Sequence, residues 1–227
     1  VNESLSLLEK LSTLTSLKVY VTLHNNKSTY LSFQKKRREV FFSLHKFFET
    51  APLDVLQSLI DYAESSKRTS FTRVKKFIYT KQQEIDLSHT VKEKNLHIEG
   101  KHFNLRQAYE KINQNYFESA LDLQITWFFP KYRSFRNFTF GSYDRNLKLI
   151  KINFHLDRHD TPAFYLDNLL YHEMLHAVCL PFVDEKGRLR IHTKEFKEKE
   201  RLFPMYKQAK EWEKQFLKKF WRENGRT

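Results

Sequence analysis

Leu5, Leu8, Leu11 and Leu14 recur every three residues and predict an amphipathic helix over residues 4–14. The run Lys18-Val19-Tyr20-Val21-Thr22-Leu23 is dense in β-branched and aromatic residues, which predicts a strand. Asn25-Asn26 offers a turn into a second strand over 28–33, and Val40-Phe41-Phe42 marks a third over 38–44. Pro52 opens a helix with Val55, Leu56, Leu59 and Ile60 facing inward, and a basic helix follows over 71–82. Residues 83–101 are polar, and composition places a boundary there. The expected division is a basic mixed α/β module over 1–100 and a second domain over 101–227.

The second domain opens with a helix over 104–117, carrying Ala108, Ile112 and Tyr116 on one face. A strand over 123–128 is closed by Pro130. Strands over 137–143 and 147–154 flank a turn at Asp144-Arg145-Asn146. Thr161-Pro162 reads as a helix start, with Thr161 as cap and Pro162 in the first helical position. That helix runs to Cys179 and stops before Pro181. Residues 184–187 read as a loop, and two helices over 193–202 and 204–221 complete an α+β protein.

Apolar residues make up 40% of the 227 and charged residues 30%, which suits a folded chain with a core. Four glycines leave no Gly-rich phosphate loop. Cys179 is the single cysteine, so no intramolecular disulfide can form, and a reducing, cytoplasmic compartment is favoured. No stretch approaches a membrane-spanning length of apolar residues, and residues 1–4 lack the order of a secretory leader.

The net charge of +13 points to an acidic partner, DNA or another nucleic acid, or to a generally basic proteome. Lys207, Lys210, Lys214, Lys218 and Arg222 form an approximate stripe on the last helix. That stripe suits phosphate contact, or a solvated face over buried aromatics. Lys35-Lys36-Arg37-Arg38 is a second basic patch, or a charged hairpin tip.

The chemistry concentrates at His172-Glu173-Met174-Leu175-His176. Residues four apart on a helix lie one above the other, so two imidazoles can grip one ion. Zinc (Zn2+) takes imidazole nitrogen in tetrahedral geometry, and Glu173 sits where a carboxylate can act as general base on activated water. Apolar flanks at Leu169-Leu170 and Ala177-Val178 bury this helix, and buried imidazole needs a partner. A third protein ligand is required. His192 is the best candidate, fifteen residues beyond His176, with Asp184, Glu185 and Glu195 as alternatives. Tyr143 and Tyr165 are the candidates for steadying a developing oxyanion.

Residues 104–203 resemble the SprT-like family of zinc metallopeptidases, which includes the Spartan-type proteases. The resemblance is carried by Tyr116-Phe117, Ile125-Thr126-Trp127, Gly141-Ser142-Tyr143 and Ile150-Lys151-Ile152-Asn153. Tyr171-His172-Glu173-Met174-Leu175-His176-Ala177, then His192 and Phe196, extend it. It implies a zincin-like domain with a small sheet on the metal-bearing helix. It also implies zinc held by His172, His176 and His192, Glu173 as catalytic base, and peptide-bond hydrolysis, in the best-known members of DNA-bound protein. The chain departs from the family in having no cysteines for a zinc ribbon, and in Thr193 where Gly often follows the third ligand. The competing expectation is a nucleic-acid-binding protein with a structural or inactive zinc site.

Overall fold

The computed structural model describes residues 5–26, 29–66, 69–130 and 138–223. The fold is α+β, and the chain divides into two compact units, residues 1–84 with 182–190, and residues 85–181 with 191–227. Among the described residues no helix is long and apolar enough to cross a membrane.

In the first unit, α1 (Leu7–Thr13) precedes β1 (Lys18–His24), β2 (Leu31–Lys36) and β3 (Glu39–His45). A capping box between Ser6 and Glu9 starts α1 at Leu7 and leaves Leu5 outside the helix. The buried pair is therefore Leu7 and Leu11, while Leu5 and Leu8 are exposed, which corrects the expected stripe. The three strands do not form a meander. β3 lies in the centre, parallel to β1 and antiparallel to β2. Val40, Phe42 and Leu44 explain this order: the strand with the most buried side chains takes the central place, and Lys35 and Lys36 sit on an edge strand. Of the expected second strand, Ser28 lies outside the described residues.

Helices α2 (Leu53–Ser65) and α3 (Thr72–Gln83) complete this core, with Val55, Leu56, Leu59 and Ile60 buried as the periodicity predicts. A short hairpin, β7 (Phe182–Val183) with β8 (Leu189–Arg190), also belongs to this unit and was not visible in the pattern. Two-residue strands carry too little alternation to read. Lys75 Nζ donates to the Gly187 carbonyl at 3.4 Å, between α3 and the hairpin turn.

The second unit begins at Ile85. Its polar leading segment is tied down by backbone bonds. Leu87 N–H donates to the Asn146 carbonyl at 2.7 Å, and Trp127 N–H to the His97 carbonyl at 2.7 Å. The buried carboxylate of Asp157 accepts from the backbone N–H groups of Lys101, His102 and Phe103.

Helix α4 (Leu105–Phe117) follows, capped by Asn104, whose side chain accepts from Gln107 N–H. Its buried face is Leu105, Tyr109 and Ile112, and Tyr116 is half-exposed against the Tyr171 and Phe203 rings. A second sheet has the order β4–β6–β5, from β4 (Gln124–Phe128), β5 (Gly141–Asp144) and β6 (Leu149–Asn153). β4 and β6 are parallel, and β5 and β6 form the expected hairpin. Asn137, the expected start of β5, lies outside the described residues.

Helix α5 (Ala163–Val178) is the axis of the unit and packs on α4, β5, α6 (Lys194–Arg201) and α7 (Tyr206–Glu223). Leu166, Leu169, Leu170, Tyr171, Met174 and Leu175 bury it on most sides. Its cap is Pro162, whose carbonyl accepts from Tyr165 and Leu166 N–H. Thr161 Oγ1 has no hydrogen-bond partner among the described residues, so the expected threonine cap is not formed. At the other end, the Arg145 guanidinium donates to the carbonyls of His176 and Ala177, filling acceptors that a helix end leaves open.

Candidate metal centre

Helix α5 places His172 and His176 one turn apart on one face, with ring centroids 5.0 Å apart. His192 enters from the segment just before α6. Thr193 caps that helix by accepting from Phe196 N–H at 3.1 Å, which fixes the chain next to His192. The His192 ring lies 5.2 Å from His172 and 5.0 Å from His176. One ring nitrogen from each of the three histidines lies within 4.8 Å of the others.

Phe196 is fully buried and forms the floor of this cluster, 4.6–5.0 Å from all three imidazoles. Among the described residues, the other ligand candidates are engaged elsewhere. Asp184 accepts from Arg188 N–H and Arg190, and Glu195 from Lys199. Glu185 is not part of the cluster.

The charge state suits metal binding. Burial, together with His172 and His192, pushes His176 down to about 3. Burial also lowers His192. Neutral imidazole is the form that offers a lone pair. His172 Nδ1 lies 2.7 Å from Oε1 of Glu200 on α6, which leaves Nε2 as its free ligand atom. Burial works to raise Glu200, but the hydrogen bond and charge of His172, with Lys210, hold it below the usual carboxylate range. Glu200 is only 7% exposed. Sequence pattern did not single it out, because its role depends on how α6 packs on α5. Tyr171 Oη helps set that packing by donating to the Lys199 carbonyl at 3.0 Å.

Glu173 lines a cleft of about 290 Å³. Phe140, Gly141, Tyr165, Asn168, His172 and Lys210 line it with Glu173. Burial raises the Glu173 carboxyl to about 7, against smaller opposing effects of His172 and Lys210. Gly141 makes room for it. A Cβ built there would lie 2.7 Å from Glu173 Oε1, a distance real Cβ atoms do not tolerate. The resemblance quoted Gly141, but its reason is visible only in the packing of β5 on α5.

Tyr165 also faces the cleft. Burial and the neighbouring Glu213, 3.4 Å from its hydroxyl, hold its phenol in the protonated form. Tyr143 does not line the cleft, and Arg145 lies over its ring at 5.7 Å. On α7, Lys210 turns toward Glu200 at 3.6 Å and Glu213 at 3.8 Å. It therefore leaves the expected basic stripe, whose other members Lys207, Lys214, Lys218 and Arg222 are exposed. Phe203, Phe216 and Phe220 are core residues rather than surface stacking groups.

Comparison with protein families, with curated proteins and with solved structures finds no match to this chain.

Proposed function

We propose that this chain is a zinc-dependent metallopeptidase of the SprT-like kind, with a zincin-like second unit. One observation carries the reading. Three imidazoles, from His172, His176 and His192, converge within 4.8 Å, and a buried carboxylate, Glu173, stands beside the first of them in an open cleft. The donor set fits zinc: three histidines with a position left open are a catalytic zinc set, whereas structural sites use four protein ligands.

His172, His176 and His192 would hold the ion, and Glu200 would fix the tautomer of His172 by accepting its Nδ1–H. A zinc ion there supplies Lewis acidity, polarising a carbonyl and lowering the pKa of water to about 7. Glu173, whose own value is near 7, takes the proton of the attacking water and later returns it to the leaving amine nitrogen. β5 is an edge strand of its sheet and begins at the cleft with Gly141. An extended peptide substrate can add along that edge and bring its scissile carbonyl to the histidines. Tyr165, held protonated, has a hydroxyl to offer the developing oxyanion.

The test pairs metal content with turnover. Wild type should bind one equivalent of zinc and cleave unfolded casein. His176→Ala should lose the metal, and Glu173→Gln should keep it and lose cleavage. Full cleavage by Glu173→Gln would overturn the reading, as would a wild type that excludes zinc.

A further inference from the structure

The helices of the first unit cover only one face of its sheet. Val19, Val40, Phe42 and Leu44 point into that core. The alternate residues point outward, and register sets Tyr20 opposite Phe41, Thr22 opposite Ser43, and His24 opposite His45. None of these six is buried, and Tyr20 is 37% exposed.

The outward face is organised. The rings of Tyr20 and Phe41 stack at 4.6 Å and are parallel to within 2°. Lys18 Nζ lies 5.2 Å from the Tyr20 centroid, and Lys36 Nζ 5.7 Å from that of Phe41. The order is ammonium, ring, ring, ammonium. The imidazoles of His24 and His45 form a second pair, with centroids 6.0 Å apart. The two pairs are four residues apart along their strands, or about 13 Å at the usual strand rise. Thr22 and Ser43 place hydroxyl-bearing side chains between them. Beyond the Phe41 end, the β2–β3 turn adds the exposed Arg37 and Arg38. The one carboxylate in the row, Glu39, accepts from the Tyr20 hydroxyl at 3.2 Å.

We propose that this sheet face binds an unpaired nucleic-acid strand. Charge complementarity and the paired rings select that occupant. Lys18, Lys36, Arg37 and Arg38 suit a phosphate backbone, and the Tyr20–Phe41 stack can be extended by a base. An entering base takes the place of one flanking ammonium, which then moves to the adjacent phosphate. A further base of the same strand reaches the His24–His45 pair. Stacking needs a free base face. A duplex hides its base faces and offers only phosphates, so it is held less well. This site is independent of the metal centre and of the peptidase reading.

The experiment is fluorescence anisotropy on the full chain, using a labelled oligothymidylate and a duplex of equal length. Wild type should bind the single strand more tightly than the duplex. The Tyr20→Leu/Phe41→Leu pair should weaken single-strand binding about tenfold or more and leave duplex binding unchanged. Circular dichroism checks the fold, and Tyr20→Leu alone, on an edge strand, serves if the pair unfolds. Lys218→Glu on the last helix, a charge change away from the sheet, should not alter the single-strand preference. Equal affinity for duplex and single strand, no binding at all, or an unweakened folded leucine variant overturns the proposal.

Discussion

His172 Nδ1 and Glu200 Oε1 lie 2.7 Å apart, which joins α5, the helix that carries His172 and His176, to α6, the helix that follows His192. This bond sets which nitrogen of His172 is free, so it belongs to the candidate metal site although Glu200 is not placed as a ligand. Glu200→Gln should lower zinc affinity about 10–100-fold while leaving the fold intact. Competition against a chromogenic chelator measures the first, and a thermal melt the second. Unchanged affinity would show that His172 is oriented without Glu200.

Glu173 makes stability depend on pH in a definite direction. Its folded value is about 7, against an ordinary value of 4.5. Between those values the folded state holds more protons than the unfolded one, so stability falls as pH rises through that window. Above pH 7 the full penalty remains, on the order of 3 kcal/mol for a group this buried. Glu173→Gln removes the charge. In metal-free protein it should be more stable than wild type at pH 8, and the difference should vanish near pH 4. Urea denaturation at both pH values is the check, and a pH-independent difference would contradict the account.

Gly141 is required by contact, since a Cβ there would press on Glu173 Oε1 at 2.7 Å. Gly141→Val should displace the carboxylate and lower peptide cleavage about a hundredfold, because misplacement by an ångström has costs of that order. Zinc content should not change, because the three atoms nearest to that Cβ all belong to Glu173. Loss of zinc in parallel with activity would point to a general collapse instead.

Phe196 lies under all three imidazoles and is completely buried. Phe196→Ala should cost about 3–5 kcal/mol of stability. It should also weaken zinc binding, as the three rings lose their common floor. Calorimetry of the metal-free protein and zinc titration read the two effects separately. A stable variant with full affinity would show that α6 alone positions His192.

What the sequence determined was local. The spacing from His172 to His176 and the apolar run around it specify a helix with two imidazoles on one face, because helical periodicity depends only on neighbours. Pro52, Asn104 and Thr193 likewise mark helix starts through chemistry within one turn. Val55, Leu56, Leu59 and Ile60 faced the core as their spacing required.

Tertiary structure decided the rest, because it depends on residues far apart in sequence. β3 was readable as a strand, but its central place between β1 and β2 follows from which strand buries most in the folded unit. The meeting of His192 with the helix pair, the bond from Glu200, the space left by Gly141 and the inward turn of Lys210 all arise from packing among α5, α6, α7 and β5. Side-chain type could nominate these groups, but only the close packing of those elements gives them a distance and a charge state.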